Sequence, residues 1–291
     1  MPSIFKHSIV RSTPIISVLV ALLLLTGVYF GLNTIPPKPK KPAGKPEMGG
    51  GQMGHQHAEL NVDSFIVANK KKLPQHALGE IQAVETQLRG AKDSAQMAGI
   101  FQQYGQIWQE HKQMQLAAHY YSLAAKLENS EKKLTFAAQL FLDLARNEHS
   151  EGLQHWEAES AADCFERSLA LNPNNDTVRL GLAECYFGSG EAMKGVAVIK
   201  EITKKDPENK AANLLLGQQG LISQQYPKAQ QRFETVLKND PKNLEAMLGL
   251  AEAFKGQGEN QKAIALLLEC KKQINNPAFA KDIDDYIKSI K

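Results

Sequence analysis

The sequences NPNN at residues 172–175, DPEN at residues 206–209 and DPKN at residues 240–243 place three prolines at intervals of 34 residues. Each proline can end a helix, because it lacks an amide hydrogen and disfavours helical geometry in the residue before it. An asparagine follows each proline by two residues, and its side chain is suited to cap the next helix. Apolar residues recur at helical spacing between these motifs. The pattern therefore predicts pairs of helices that repeat every 34 residues.

Small and large residues occupy fixed positions within each interval. In the unit that ends at Pro241, these positions are held by Leu216, Gly217, Ala229 and Phe233. Short side chains allow two helices to cross closely, and large side chains fill the space beside them. The period and the pattern together resemble the tetratricopeptide repeat (TPR), a family of stacked helical hairpins.

The resemblance implies an all-α TPR superhelical solenoid of antiparallel helix pairs. Five repeats are expected, at residues 98–131, 132–175, 176–209, 210–243 and 244–277. The second repeat contains ten extra residues around Arg146 to Trp156, which either enlarge the turn or extend both helices. Capping helices are predicted at residues 61–95 and 278–291, because a terminal repeat would otherwise expose its apolar face.

The first 60 residues differ in composition from the repeats. A short basic tail at residues 1–13 precedes an uncharged apolar segment at residues 14–35, whose centre runs from Ile15 to Leu32. As a helix this centre would be about 27 Å long, close to the thickness of a bilayer core. We predict one transmembrane helix here, a signal anchor, with a cleaved signal peptide as the alternative. Residues 36–60 are rich in Pro, Gly and Lys, which predicts a disordered linker.

Charge bears on both partners and orientation. Residues 1–58 contain six Lys or Arg residues and one Glu, a charge of +5, which leaves −2 for the rest of a chain whose formal charge is +3. A nucleic-acid binder is expected to have a basic stripe on its folded part, so we predict no nucleic-acid partner. Basic residues flank both sides of the apolar segment, and the positive-inside rule therefore does not decide the orientation. We favour a periplasmic or other extracytoplasmic repeat domain, because a short basic tail before a long apolar run is typical of an exporting signal anchor. A cytoplasmic domain is the alternative.

In TPR proteins the first helices of the pairs line a concave groove, where peptides usually lie. The resemblance gives this role to Gln102, Gln106, Gln109, Leu180, Glu184, Phe187, Leu214, Leu215, Gln218, Leu221, Ile222, Leu248 and Glu252. An exposed apolar wall usually marks a partner site. Alternatively, the four apolar residues of the fourth repeat, Leu214, Leu215, Leu221 and Ile222, simply pack against neighbouring helices. The positions that hold a C-terminal carboxylate in TPR co-chaperones are mostly Gln, Leu, Gly and Glu here, so we do not expect that ligand.

No residue pattern indicates catalysis, a metal or a cofactor. His55 and His57 lie beside Met48 and Met53, but a flexible segment provides no fixed ring of ligands. No nucleophile is surrounded by a recognisable motif, and no Gly-rich phosphate loop stands between a strand and a helix. The three cysteines fall on helix-packing positions, and the sequence leaves open whether the first two pair: Cys164, Cys185 and Cys270.

We therefore predict a non-enzymatic scaffold or adaptor that is anchored in the membrane and binds another protein or peptide segment through its groove. The arrangement resembles single-pass TPR proteins of the bacterial inner membrane and cell envelope. A chaperone-like holdase for exported or envelope proteins is the alternative. One partner at a fixed ratio would favour the scaffold, and many unfolded clients would favour the holdase. Neither reading requires a small-molecule substrate.

Overall fold

The computed structural model describes residues 60–274 and 276–290, and this part of the chain consists of helices and connecting turns. Its helices are α1 (Val62–Lys70), α2 (Gln75–Gly90), α3 (Ser94–Glu110), α4 (Met114–Glu128), α5 (Glu131–Asn147), α6 (Glu151–Leu171), α7 (Asp176–Gly188), α8 (Ala192–Lys205), α9 (Lys210–Ile222), α10 (Tyr226–Asn239), α11 (Leu244–Gly256), α12 (Asn260–Gln273) and α13 (Pro277–Ile290). The all-α fold class predicted from the sequence is confirmed over these residues.

Consecutive helices pack as pairs, and each pair packs on the next. The pairs are α3 with α4, α5 with α6, α7 with α8, α9 with α10 and α11 with α12. The first helices of neighbouring pairs also contact one another, as α5 does with α7, α7 with α9 and α9 with α11. The result is a helical solenoid in which a row of first helices forms one continuous side. We call this side, made by α3, α5, α7, α9 and α11, the inner face.

The proline motifs end and begin helices as predicted. The helices α6, α8 and α10 each end two residues before the proline of their motif. Asn175, Asn209 and Asn243 then accept hydrogen bonds from the backbone amides three residues later, at 3.2, 3.1 and 2.9 Å. These bonds satisfy amides that lack a partner inside the helix. The predicted capping role of the three asparagines is confirmed.

Close packing between helices depends on glycines that face aromatic rings. Phe233 of α10 is fully buried, and both Gly217 of α9 and Gly249 of α11 lie against its ring. A Cβ atom on Gly217 would lie 2.7 Å from two carbon atoms of the Phe233 ring. In the same way, Gly105 faces the ring of Tyr121 and Gly181 faces the ring of Phe165. The missing side chains therefore make room for the rings that hold neighbouring helices together.

The insertion in the second pair lengthens both of its helices. Helix α5 has 17 residues and α6 has 21, whereas the helices of each of the three later pairs have 13 and 14. Trp156, on the added part of α6, contacts three rings on other helices, with centroid separations of 5.3 Å to Phe141, 6.2 Å to Phe65 and 6.2 Å to His119. The extension thus packs α6 against α1, α4 and α5.

The two ends of the repeat array are covered by further helices. Helix α2 packs on α3 and buries Ala77, Ile81 and Val84, and α13 packs on α12 and buries Ile283, Ile287 and Ile290. Pro74 is the residue immediately before α2.

The segments predicted as a basic tail and a transmembrane helix, and almost all of the predicted linker, lie outside the described residues. Among the helices that the structure describes, none is both long enough and apolar enough to cross a bilayer.

Candidate binding face

Three cavities open along the inner face. The N-terminal cavity, of about 230 Å³, lies between α3 and α5, and the central cavity, of about 250 Å³, lies among α5, α6, α7 and α9. The C-terminal cavity, of about 420 Å³, lies among α9, α11 and α13. Gln218 lines both the central and the C-terminal cavity, so these two adjoin.

The N-terminal cavity combines amide groups with aromatic rings. Its wall is formed by Gln102, Gln106, Gln109, Tyr121, Ala124, Lys133 and Phe136. The hydroxyl group of Tyr121 donates a hydrogen bond of 2.6 Å to Oε1 of Gln109. The ammonium group of Lys133 forms an ion pair of 2.6 Å with Glu128. Phe136 is 58% exposed, which is unusual for a large aromatic side chain.

The central cavity has apolar walls and one ion pair at its edge. The apolar lining residues are Leu142, Ala145, Ala158, Cys185, Phe187, Leu215 and Ile222. Arg146 of α5 binds Glu184 of α7 through two parallel hydrogen bonds, Nε to Oε1 at 2.6 Å and Nη2 to Oε2 at 2.7 Å. This fork geometry links the second pair to the third. The hydrogen bonds with Glu184 raise the pKa of Arg146 above its usual value.

The C-terminal cavity has an apolar floor and carboxylates at its edge. The floor is made by the apolar residues Leu221, Phe233, Leu248, Gly249, Leu267, Phe279 and Ile283. The polar lining residues are Gln218, Glu245, Glu252, Asp282 and Tyr286. Gln218 donates a hydrogen bond of 2.6 Å to Oε1 of Glu245, and the hydroxyl group of Tyr286 donates one to Glu252.

The structure distributes the predicted groove residues over these three cavities. Gln102, Gln106 and Gln109 line the N-terminal cavity, Glu184, Phe187, Leu215, Gln218 and Ile222 line the central one, and Gln218, Leu221, Leu248 and Glu252 line the C-terminal one. Leu180 and Leu214 line none of the three. Leu180 packs against the cluster around Ile199, and Leu214 against the cluster around Phe233.

The apolar residues of the fourth repeat do not form one exposed wall. Leu214, Leu215 and Leu221 are half-buried and pack against neighbouring helices, whereas Ile222 is 76% exposed. Leu214 therefore fits the alternative in which these residues pack against neighbouring helices. Ile222 fits the alternative in which they face a partner.

Several residues at the cavities were not singled out from the sequence. Phe136 and Arg146 lie on the first helix of the irregular second pair, where the repeat pattern is interrupted, and Asp282 and Tyr286 lie on the closing helix. The spacing of Asp282 and Tyr286, one turn apart in α13, is the only sequence signal that would have placed them together.

One carboxyl group is buried away from the cavities described above. Glu157 of α6 is fully buried, and neither of its carboxyl oxygens has a hydrogen-bond partner of normal geometry among the described residues. Burial, followed by the negative charge of Glu148, raises the pKa of Glu157 to about 8. The carboxyl group is therefore largely protonated at neutral pH, which lowers the cost of burying it.

The cysteines are free and buried, which matches their expected packing role. Burial raises the pKa of Cys164 to about 11 and that of Cys185 to about 12, and it also raises the pKa of Cys270. Thiols in this state are poor nucleophiles. Among the described residues no group of three or more His, Cys, Asp or Glu side chains is arranged to hold a metal ion. His55 and His57 lie outside these residues.

Comparison with solved structures finds similar helical-repeat proteins. A tetratricopeptide repeat protein from Parabacteroides merdae is 17% identical, with a TM-score of 0.50, and the match covers 67% of this chain and 73% of that one. YrrB, described as a TPR protein with an unusual peptide-binding site, is 13% identical with a TM-score of 0.46, over 70% of this chain and 98% of that one. MamA from Desulfovibrio magneticus is 15% identical with a TM-score of 0.48, over 62% and 98%. A comparison with curated proteins finds no match.

A sequence profile for the tetratricopeptide repeat matches residues 153–218 and 221–281. The two segments begin in α6 and end in α13, so they contain the last three helix pairs, whose proline motifs first indicated the repeat. This fold is typically a non-catalytic module through which proteins bind peptides or other proteins, and the matching profile is not that of an enzyme family. The residues in these two segments are therefore tetratricopeptide repeats, and the resemblance seen in the sequence is confirmed over them.

Proposed function

We propose that this chain is a scaffold or adaptor that binds a segment of another protein along its inner face. The observation that carries the proposal is the row of three cavities, each with apolar walls and a polar edge, on consecutive first helices. Apolar pockets with a few placed polar groups are the usual form of a binding site. A bound segment could place one side chain in each cavity while its backbone runs along the row.

Two exposed apolar side chains support the choice of the inner face. Phe136 is 58% exposed at the N-terminal cavity, and Ile222 is 76% exposed at the central cavity. Large apolar side chains at the centre of an interface contribute much of the binding free energy, because the partner removes them from water. The proteins with similar folds include YrrB, whose description gives it a peptide-binding site.

Membrane anchoring is part of the proposal and rests on the sequence. Residues 14–35 would form the anchor and residues 36–60 a linker to the repeats, with the repeat domain on the periplasmic or other extracytoplasmic side. Alkaline extraction of cell membranes tests the anchor, because an integral protein stays with the lipid. A reporter enzyme that is active only outside the cytoplasm, fused after Lys291, tests the side. Release by alkali or an inactive reporter would contradict the respective part of the proposal.

Affinity purification of the full chain from cells, with matched variants, tests the binding role. We expect Phe136→Asp and Ile222→Asp to lose the co-purified partner, because a buried charge opposes desolvation of the interface. Met193→Asp is the control, since Met193 is 83% exposed on α8, a second helix, and lines none of the three inner-face cavities. Equal retention of the partner by all three variants would contradict the proposal.

The same purification separates the scaffold from the holdase. A scaffold should retain one protein at a fixed molar ratio, and this protein should stay bound when it is folded. A holdase should retain many unrelated proteins in amounts that rise when protein folding is impaired. We favour the scaffold because the cavities differ from one another in polarity, which suits one defined sequence better than a range of unfolded clients.

A further inference from the structure

We infer that the C-terminal cavity binds a basic, apolar segment of the partner, in which a large apolar side chain is flanked by lysine or arginine. The inference rests on the proposed function, and it adds the chemical class of the segment. It follows from the lining of this cavity, from the hydrogen bonds of its carboxylates and from its contrast with the other two cavities.

The lining of the C-terminal cavity contains three carboxylates and no basic residue. Glu245, Glu252 and Asp282 lie at its edge, on α11 and α13. Lys255 lies beside this edge, with its ammonium group 3.8 Å from Glu252 and 2.7 Å from the hydroxyl group of Tyr286. Counting Lys255 as well, the cavity edge has a charge of −2.

The carboxylates are only partly compensated by their surroundings. Glu245 accepts its hydrogen bond from Gln218, a neutral group. Asp282 is exposed, and it makes neither a hydrogen bond nor an ion pair with any described residue. These two groups are free to form charge-assisted hydrogen bonds with an incoming ammonium or guanidinium group.

The apolar floor defines the second half of the recognition. The floor contains the half-buried side chains of Leu221, Leu248 and Phe279, together with the fully buried side chains of Phe233 and Leu267. An aliphatic or aromatic side chain inserted here would remove this surface from water. Because the charges lie at the edge and the apolar atoms at the base, the fitting segment has its apolar side chain between its basic ones.

The other two cavities do not share this imbalance. At the central cavity, Glu184 is bound by Arg146 through two hydrogen bonds, so both charges are already matched within the chain. The N-terminal cavity contains Lys133 and three amide side chains, with no carboxylate in its lining. The negative end of the row of cavities is therefore its C-terminal end, which is where the basic part of the segment should bind.

Peptide binding by the full chain in non-ionic detergent tests the inference. The probe is a fluorescein-labelled peptide, GKLKKLKG, and the comparison peptides replace every Lys by Glu or every Leu by Ser. We expect the probe to bind, with an affinity that falls as salt is added, and both comparison peptides to bind at least about tenfold more weakly.

Two triple variants with the same change in charge locate the binding. The cavity variant is E245Q/E252Q/D282N, and the control variant is E201Q/E234Q/E269Q, whose carboxylates are exposed on the second helices α8, α10 and α12. We expect the cavity variant to bind the probe about tenfold more weakly, because its three carboxylates act together on the same peptide. The control variant should change the affinity less than twofold, because its exposed carboxylates lie outside the cavity. Circular dichroism checks that both variants fold.

The inference is overturned if the probe does not bind, if the glutamate peptide binds as well as the lysine peptide, or if the two triple variants weaken binding equally. Its failure is distinguishable from failure of the proposed function. Should any of these results occur while Ile222→Asp still releases the partner and Met193→Asp does not, the inner face binds a segment of different chemistry.

Discussion

The contact between Gly249 and Phe233 gives the sharpest test of how neighbouring pairs are held together. A Cβ atom added at Gly249 would lie 2.6 and 2.7 Å from the Cε1 and Cε2 atoms of the ring, and closer still to Cζ. Ordinary contacts between carbon atoms are about 3.5–4.0 Å, so the ring or the helix must move by about 1 Å. Phe233 is fully buried and has little room to move.

The expected effect of Gly249→Ala follows from two opposing contributions. Overpacking a well-packed core typically costs about 1–3 kcal/mol, while alanine in place of glycine inside a helix returns about 1 kcal/mol. We therefore expect the free energy of unfolding to fall by up to about 2 kcal/mol. Gly99→Ala is the matched control, because Gly99 is exposed within α3 and a Cβ atom there would meet nothing within 4 Å. This control should gain about 0.5–1 kcal/mol.

Urea unfolding of the full chain, followed by circular dichroism, measures both changes. Phe233→Leu should lower the cost of Gly249→Ala when the two are combined, because the smaller side chain relieves the clash; a double-mutant cycle isolates this coupling. If Gly249→Ala stabilised the protein as much as Gly99→Ala does, the ring would have free space beside it. Gly249 would then not set the spacing between these two pairs.

Three further predictions concern a buried acid, a helix cap and the thiols. Because burial and Glu148 raise the pKa of Glu157 to about 8, its folded form keeps a proton that the unfolded chain releases above about pH 4.5. The free energy of unfolding should therefore fall as pH rises from about 4.5 to 8, by up to about 5 kcal/mol. Urea titrations at a series of pH values measure this fall, and Glu157→Gln should remove it. An unchanged pH profile in the variant would contradict the raised pKa of Glu157. Asn209→Ala should lower the free energy of unfolding by about 1 kcal/mol, and Asn209→Asp should lower it by much less, because an aspartate side chain also caps a helix. Equal losses in the two variants would contradict the capping role of Asn209. Cys164 and Cys185 should resist maleimide labelling until urea unfolds the chain, because both thiols are buried. Rapid labelling of the folded protein would contradict their burial.

The regular repeats could be predicted because their signals are local. A proline and the asparagine two residues later define one helix end and the next helix start within four residues, and the caps at Asn175, Asn209 and Asn243 have this form. The glycine and phenylalanine at positions 217 and 233 belong to the same pair, and they meet as the family pattern implies. Such features depend on neighbours within one repeat.

The features that could not be predicted depend on contacts between distant residues. Arg146 and Glu184 are 38 residues apart in the chain, and their pairing follows from the lengthening of α5, which the interrupted period left open. Trp156 packs on Phe65 of α1, a helix outside the repeats. The sequence left open whether Leu214 faces the groove or packs against neighbouring helices, and in the structure it packs against the cluster around Phe233. Spacing along the sequence does not specify these contacts.

The most direct test of the central claim, that the inner face binds a protein segment, is site-specific photocrosslinking in cells. A photoreactive amino acid is placed at Ile222 on the inner face and, as the control, at Met193 on α8, two positions of similar exposure at 76% and 83%. The account predicts a discrete crosslinked product of one size from position 222, containing the same partner that Ile222→Asp releases, and none from position 193. Crosslinks from position 193 alone, or equal products from both positions, would contradict it.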